Sequence, residues 1–378
     1  MAALAPRLLG RHDRRGDALV RELRGLSDLY NLERGGLERA SDAPAARLRF
    51  FFLRDLPKVE GPLAELAVAR ALPAGPVWRV LDVGAGYGAT SLGAATYAAR
   101  LDGVERVDVD AVDRDGPALE GLRALARLAG RDGLAPVSRP VDLVTEEREL
   151  EGLEAGVLRP ADLVLVGFVL NELHRELDAE ARHAARAHWL TGLARRLRPG
   201  GSLIVLEPAH RAATRDLMAV RDRLVEAGEV TVFAPCLRTG SCPLLGRDRD
   251  WCHDQLDLAL PPPLADLARA ASLRRERLTY AYLTLRRDDV RLGPALGGET
   301  PDLLRVVGGP LPSKGKVEWD GCGPTGRVRL RRLDREASEQ NAGIEGAARG
   351  TVLRAQGAFE DGGQLRLRPG QAVRRVLR

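Results

Sequence analysis

The stretch Val80-Leu81-Asp82-Val83-Gly84-Ala85-Gly86-Tyr87-Gly88-Ala89-Thr90 decides the fold. Val80–Val83 is apolar apart from one acid and reads as a buried strand. Glycines at 84, 86 and 88 then make a tight turn, and the Ala-rich run Ser91–Ala99 reads as a helix. Such a turn takes positive φ and lets the backbone approach a ligand that a Cβ would push away. The first turn of the helix beyond it offers unpaired N–H groups. The dinucleotide-binding fingerprint is G-x-G-x-x-G, whereas the order here is G-x-G-x-G, so the spacing is wrong for that class. The plain alternative is a glycine-rich βα turn with no ligand.

Outward from this turn the chain alternates strand and helix. Val107–Asp113 alternates as a strand does and ends on an acid, with a helix expected over Pro117–Leu128. Val137–Val144 reads as a short third strand holding Asp142, and Asp162–Leu170 as a long apolar fourth that runs into Asn171-Glu172-Leu173-His174. A helix over Ala181–Leu197 closes on Arg198-Pro199-Gly200-Gly201, and Ser202–Pro208 is the fifth strand. An acid two residues before G-x-G-x-G, in this succession, resembles motif I of the class I S-adenosylmethionine-dependent methyltransferases. That resemblance implies a doubly wound α/β core with its ligand at the carboxyl ends of the strands. It puts Asp82, Gly84, Ala85, Gly86 and Gly88 on the cofactor, with Asp113 on its ribose diol. Asp142 would then lie near the adenine, and Asn171 where cofactor and substrate meet. Asp113 could instead only cap the following helix. No catalytic residue is assigned. Neither an Asn-Pro-Pro-aromatic signature nor a catalytic cysteine accompanies Asn171, and His174 reads equally as a base or as loop.

The bulk numbers bound the rest. The chain has 378 residues and 44% hydrophobic content, enough for two or three folded domains. Leu19, Leu23, Leu26 and Leu29, then Leu63, Leu66, Ala67 and Ala71, recur at helical spacing, so residues 1–75 read as a helical cap without evident chemistry. No apolar run approaches a membrane span, and the charges at Arg11–Arg15 rule out a secretory leader. A cytoplasmic monomer with no membrane contact is expected. The net charge of +5 lies in the last fifth of the chain, where residues 301–378 hold 15 Lys and Arg against 9 Asp and Glu. That asymmetry suits a polyanion such as nucleic acid, or equally a solvated arginine-rich surface.

The four cysteines follow the core strands in the order Cys236-x5-Cys242-x9-Cys252-x69-Cys322. They sit in Pro-, Gly- and Asp-rich segments, unlike free structural cysteines, which are usually buried among apolar residues. Disulfides are not expected in the cytoplasm. Four thiolates suit tetrahedral zinc or a [4Fe–4S] cluster. Paired C-x2-C zinc knuckles are missing and His253 is a possible substitute ligand, so cluster, zinc and unrelated thiols all stay open.

Taken together, motif I, Asn171-Glu172-Leu173, the Pro-Cys…Cys-Pro…Asp-Trp-Cys-His loop and the distant Gly321-Cys322-Gly323-Pro324 resemble one family over roughly residues 45–335. It is the methyltransferase-like family associated with the mitochondrial small ribosomal subunit, which has bacterial homologues. The resemblance implies a [4Fe–4S] cluster on Cys236, Cys242, Cys252 and Cys322, bound S-adenosylmethionine, and a partner in small-subunit ribosomal RNA. Members tend to carry a basic Tyr-Arg-x-Ala-Arg-Lys run after the fourth cysteine, whereas the nearest segment here is Ala347-Ala348-Arg349-Gly350.

From Val317 the pattern changes to short alternating segments, expected as strands over 316–319, 326–332, 351–359, 363–368 and 371–377, a small barrel of the nucleic-acid-binding kind. In Arg327-Val328-Arg329-Leu330-Arg331 one face is a row of guanidinium groups suited to phosphates. The expected layout is therefore a helical region at 1–75, a Rossmann-like methyltransferase core at 76–290 with a Cys loop at 233–255, and a basic β module at 291–378. The function expected is that of an rRNA methyltransferase. The alternatives are a non-catalytic assembly factor on the same scaffold and a small-molecule methyltransferase with structural zinc.

Overall fold

The computed structural model describes residues 5–31, 42–132, 142–148, 159–273, 277–361 and 364–377. Its first sheet contains β1 (Val77–Val83), β2 (Arg106–Val112), β3 (Asp142–Arg148), β4 (Ala161–Gly167), β5 (Leu197–Pro208), β6 (Thr231–Ala234), β7 (Asp254–Leu256) and β8 (Leu278–Arg286). Their order is β3-β2-β1-β4-β5-β8-β6, with β7 beside β8. Strands β1 to β5 are parallel neighbours, and β8 runs antiparallel to both β5 and β6. A parallel sheet with its order reversed between β1 and β4, ended by one antiparallel strand wedged in before β6, is the class I methyltransferase fold. Strands β1 and β4 are buried almost throughout, as a sheet covered on both faces requires.

The order reversal places the carboxyl ends of β1 and β4 side by side, with Val83 opposite Val166. A crevice opens at such a switch point. The glycine turn sits there and takes left-handed φ at Gly84 (71°), Gly86 (52°) and Gly88 (79°). A Cβ on Gly84 would lie 2.0 Å from the Val169 side chain, and one on Gly88 2.1 Å from Leu122. The glycines are thus demanded by packing as well as by backbone angle.

Two expectations are corrected here. The third strand begins at Asp142, and Asp142 pairs with Arg106 at the amino end of β2. It therefore stands at the far edge of the sheet from the crevice and is not placed to meet an adenine. Residues 137–141 of the expected strand lie outside the described residues. The C-terminal region, in turn, is a second eight-stranded sheet rather than five strands.

That sheet contains β9 (Leu303–Val306), β10 (Leu311–Ser313), β11 (Lys316–Gly323), β12 (Gly326–Leu333), β13 (Val352–Ala355), β14 (Phe359–Asp361), β15 (Gln364–Leu367) and β16 (Val373–Leu377). It runs β14-β15-β12-β11-β9-β13-β16, with β10 beside β11. Among the described residues no pairing joins β14 to β16, so the ladder stays open instead of closing as a barrel. The row of arginines on β12 is also spoken for. Arg327 bonds Asp250 (2.5 Å) and Arg329 bonds Asp320 (2.9 Å), while Arg331 sits opposite Glu318 in the ladder. These guanidinium groups bind the sheet to itself and to the Cys loop rather than offering a free phosphate track.

The helical N-terminal region, the core and the second sheet share buried side chains, from Leu23 and Phe50 through Trp78 and Tyr280 to Leu303 and Val352. At their meeting point Glu65, on the helix Glu60–Val68, accepts hydrogen bonds from the Tyr282 hydroxyl of β8 (2.7 Å) and from Arg305 Nη2 of β9 (2.7 Å). Glu65 is 1% and Arg305 4% exposed. Burial opposes the charge on Arg305, and the Glu65 carboxylate more than offsets it, raising the guanidinium pKa.

Candidate cofactor cleft and cysteine centre

Asp82 lies buried beneath the glycine turn, and its Oδ2 accepts the Ser91 N–H (3.2 Å), anchoring the start of the helix Ala89–Ala98. Its Oδ1 is buried with no hydrogen-bond partner. Burial pushes its pKa up to about 7, against the bonds from Ser91, with Asp113 adding a smaller push. Asp113, just beyond β2, accepts the Gly86 N–H through Oδ2 (2.7 Å) and the Asp115 N–H through Oδ1 (2.8 Å). Capping falls instead to Asp115, whose Oδ1 accepts the Ala118 N–H (3.0 Å). Each Asp113 oxygen keeps lone-pair capacity for another donor.

These residues border a cleft of about 700 Å³, within the ordinary range for a cofactor site. Gly84, Ala85 and Asn171 line it directly. Asp82, Gly86, Gly88 and Asp113 are not among its lining residues; Asp82 holds the helix start after the turn and Asp113 the Gly86 N–H. Asn171 follows β4 and donates its backbone N–H to Glu207 Oε2 (3.1 Å). With its amide nitrogen turned the same way, its side chain donates to Glu207 (3.2 Å) and to the Phe168 carbonyl (3.1 Å). Burial raises Glu207 to about 8 and Glu172, on the cleft wall, to about 7. His174 has a φ of 55° and lies 4.0 Å from Glu176; it is not among the residues that line the cleft.

The opposite wall comes from the N-terminal helices, which sequence reasoning left without chemistry. Phe51, Phe52, Asp55 and Lys58 face the cleft, as does Arg47. Arg47 reaches Asp115 (2.5 Å) and stacks 5.4 Å from the Tyr87 ring centre. Their signal was available only as an aromatic and basic run, Arg47–Lys58, inside an otherwise aliphatic helical region.

The four cysteines converge. Cys236 follows β6, Cys242 and Cys252 lie in the loop beyond it, and Cys322 is on β11 of the second sheet, yet all four line one cavity of about 60 Å³. All four are unpaired thiols. Burial, with the neighbouring sulfurs adding to it, raises the pKa of Cys242 to about 11 and of Cys322 to about 12, and that of Cys252 well upward. Among the described residues no three His, Cys, Asp or Glu side chains are arranged around one point for a single ion. Arg221 and Arg238 also line the cavity.

One helix shapes the loop between Cys236 and Cys252. From the helix Arg211–Ala227, Arg215 donates to the carbonyls of Leu245 (3.1 Å), Arg247 (2.8 Å) and Asp250 (2.9 Å). Arg221 donates to those of Arg238 (2.8 Å) and Gly240 (2.5 Å), and Asp222 accepts the Cys242 N–H (2.8 Å). Residues 235–253 form no regular element, so these side chains take the place of a ladder in satisfying their backbone. The two sites adjoin, because His253 lines both the cysteine cavity and the cleft. Trp251 stacks on it at 5.8 Å.

Several solved methyltransferases share parts of this fold at low identity. Precorrin-6y C5,15-methyltransferase from Geobacter metallireducens is 13% identical over 60% of this chain and 88% of its own, with a TM-score of 0.33. The plantazolicin methyltransferase BamL, solved with S-adenosylhomocysteine (SAH), is 10% identical over 71% of this chain and 97% of its own, with a TM-score of 0.38. A methyltransferase from Thiobacillus denitrificans, also solved with SAH, is 15% identical over 60% and 92%, with a TM-score of 0.31. These likenesses are distant, and the fold assignment rests on the strand order. Direct comparison with curated proteins gives no match. The model of the family described as mitochondrial small ribosomal subunit Rsm22 matches residues 67–340, well over half of the sequence, and the chain belongs to that family.

Proposed function

We propose that this protein binds S-adenosylmethionine in the cleft, carries a [4Fe–4S] cluster on Cys236, Cys242, Cys252 and Cys322, and methylates small-subunit ribosomal RNA during ribosome assembly. The observation that carries the reading is the convergence of cysteines from two sheets on one cavity beside a methyltransferase cleft. The donor set fits the cluster. Four thiols are the ligand number it takes, and all four line one cavity. A lone zinc ion would draw all four sulfurs to about 2.3 Å from one point. The family's printed description supports the ribosomal partner.

S-adenosylmethionine supplies an electrophilic methyl group. The chain's own residues would hold its ribose diol at Asp113 and set the cofactor against the turn Gly84-Ala85. Asn171, fixed by Glu207, would orient the acceptor. Glu172 titrates near neutrality on the cleft wall and can take a proton from it. Methylation mapping of small-subunit rRNA from cells with and without the gene tests the enzyme reading. The expected result is one methyl group lost without the gene and restored by the intact gene, but not by Asp82→Ala. An unchanged map with accumulating precursor subunits would make the protein an assembly factor.

The buried acids also predict a pH dependence. The folded chain holds protons on Glu207 up to about pH 8 and on Glu172 up to about pH 7, while both lose them near 4.5 when unfolded. The native state thus binds more protons, and stability falls as pH rises from about 4.5 to about 8. Glu207→Gln should flatten this fall in thermal melts recorded across that range. An equal slope in the variant would contradict the assignment.

A further inference from the structure

Asp55 and Lys58 form an ion pair one helical turn apart, with Nζ and Oδ1 separated by 2.6 Å and side chains 17% and 5% exposed. Both lie on the wall of the cleft that also carries Gly84 and Ala85. The surroundings are aromatic: Phe51 and Phe52 flank the pair, and the Lys58 ammonium sits 4.6 Å from the Phe168 ring centre. Removing two charges from water is costly. The bond itself joins two residues of the same turn, and the Phe168 ring is the distant group that meets the ammonium. Burial lowers the Lys58 pKa despite Asp55, and the neighbouring Arg54 cation lowers it further.

The pair is held in place. The helix Ala89–Ala98, which starts from the glycine turn, packs through Gly93 against this segment. A Cβ on Gly93 would lie 2.2 Å from the Leu56 carbonyl and 2.8 Å from Val59. The charges are therefore fixed relative to the turn.

We infer that Asp55 and Lys58 bind the amino-acid end of S-adenosylmethionine, Asp55 taking the α-ammonium and Lys58 the α-carboxylate. A buried acid and base side by side on an apolar wall are the complement of a zwitterion, and each partner gains a charge-assisted bond when the ligand enters. This assignment rests on the cleft being the S-adenosylmethionine site. It makes the N-terminal helices part of the binding site rather than a cap over it.

Calorimetric titration of the full chain with SAH and with 5′-methylthioadenosine, which lacks the amino-acid end, tests it. Lys58→Met should weaken SAH about tenfold to a hundredfold, the worth of one charged hydrogen bond. Asp55→Asn should weaken it in the same direction. Both variants should bind methylthioadenosine within about twofold of the wild type, which also certifies that they fold. Unchanged SAH affinity in both, or equal loss of both ligands, overturns the assignment while the cleft's identity stands. A wild-type chain that binds neither ligand overturns the cofactor reading and this inference with it.

Discussion

Glu65→Ala is expected to destabilise the protein by about 3–5 kcal/mol, the usual cost of stripping one partner from a buried ion pair. Glu65 accepts a hydrogen bond from Tyr282 and from Arg305, at 2.7 Å from each. Its loss leaves a guanidinium buried with the Gly350 carbonyl (3.1 Å) accepting from it and the Asp254 charge near by. The damage should be cooperative, since the three side chains come from the N-terminal helices, the core sheet and the second sheet. Restoring an apolar pair with Glu65→Leu and Arg305→Met should recover much of the loss. Urea denaturation of the three forms measures this. A single variant within about 1 kcal/mol of wild type would mean the three regions are joined elsewhere.

Cys322→Ser should have an effect of comparable size through a different route. Cys322 is the one cysteine on the second sheet, opposite Arg327 in the β11–β12 ladder, while Arg327 itself reaches back to Asp250 in the Cys loop. Under the proposed function, a centre shared by the four thiolates would be a clasp between the sheets, and its binding energy would be folding energy. The variant should lose the metal, cleave under limited proteolysis near residues 291–302, and bind small-subunit RNA more weakly. Intact protease resistance together with unchanged RNA affinity would refute the clasp.

Much of this architecture is legible from the sequence, for specific reasons. The glycine turn declares itself because positions 84, 86 and 88 admit no side chain, whether by φ or by contact with Val169 and Leu122. Strands β1, β2, β4 and β5 are readable because a sheet buried on both faces requires unbroken apolar runs. β3 breaks that rule: its sequence Asp142-Leu-Val-Thr-Glu-Glu-Arg is polar at the carboxyl end, so the expected strand slid toward the more apolar residues before it. The slip carried Asp142 to the wrong edge of the sheet.

The remaining misses concern partners distant in sequence. Arg327 and Arg329 look like a free cationic face until the register sets Asp320 opposite Arg329 and the fold brings Asp250 to Arg327. The Asp55–Lys58 pair looks like an ordinary exposed helix pair until Phe168, more than a hundred residues on, packs against it. Arg215 and Arg221 resemble surface arginines on an amphipathic helix until the Cys loop folds over them and presents its carbonyls. The cysteines are the instructive contrast, since four thiols in Pro-, Gly- and Asp-rich segments left cluster, zinc and unrelated thiols all open in the sequence. The fold brings all four to one cavity.

The most direct test of the account is the iron and acid-labile sulfide content of the chain purified without oxygen. It predicts about four of each per chain, lost together in each of Cys236→Ser, Cys242→Ser, Cys252→Ser and Cys322→Ser. One zinc per chain, or iron that survives Cys322→Ser, would contradict it.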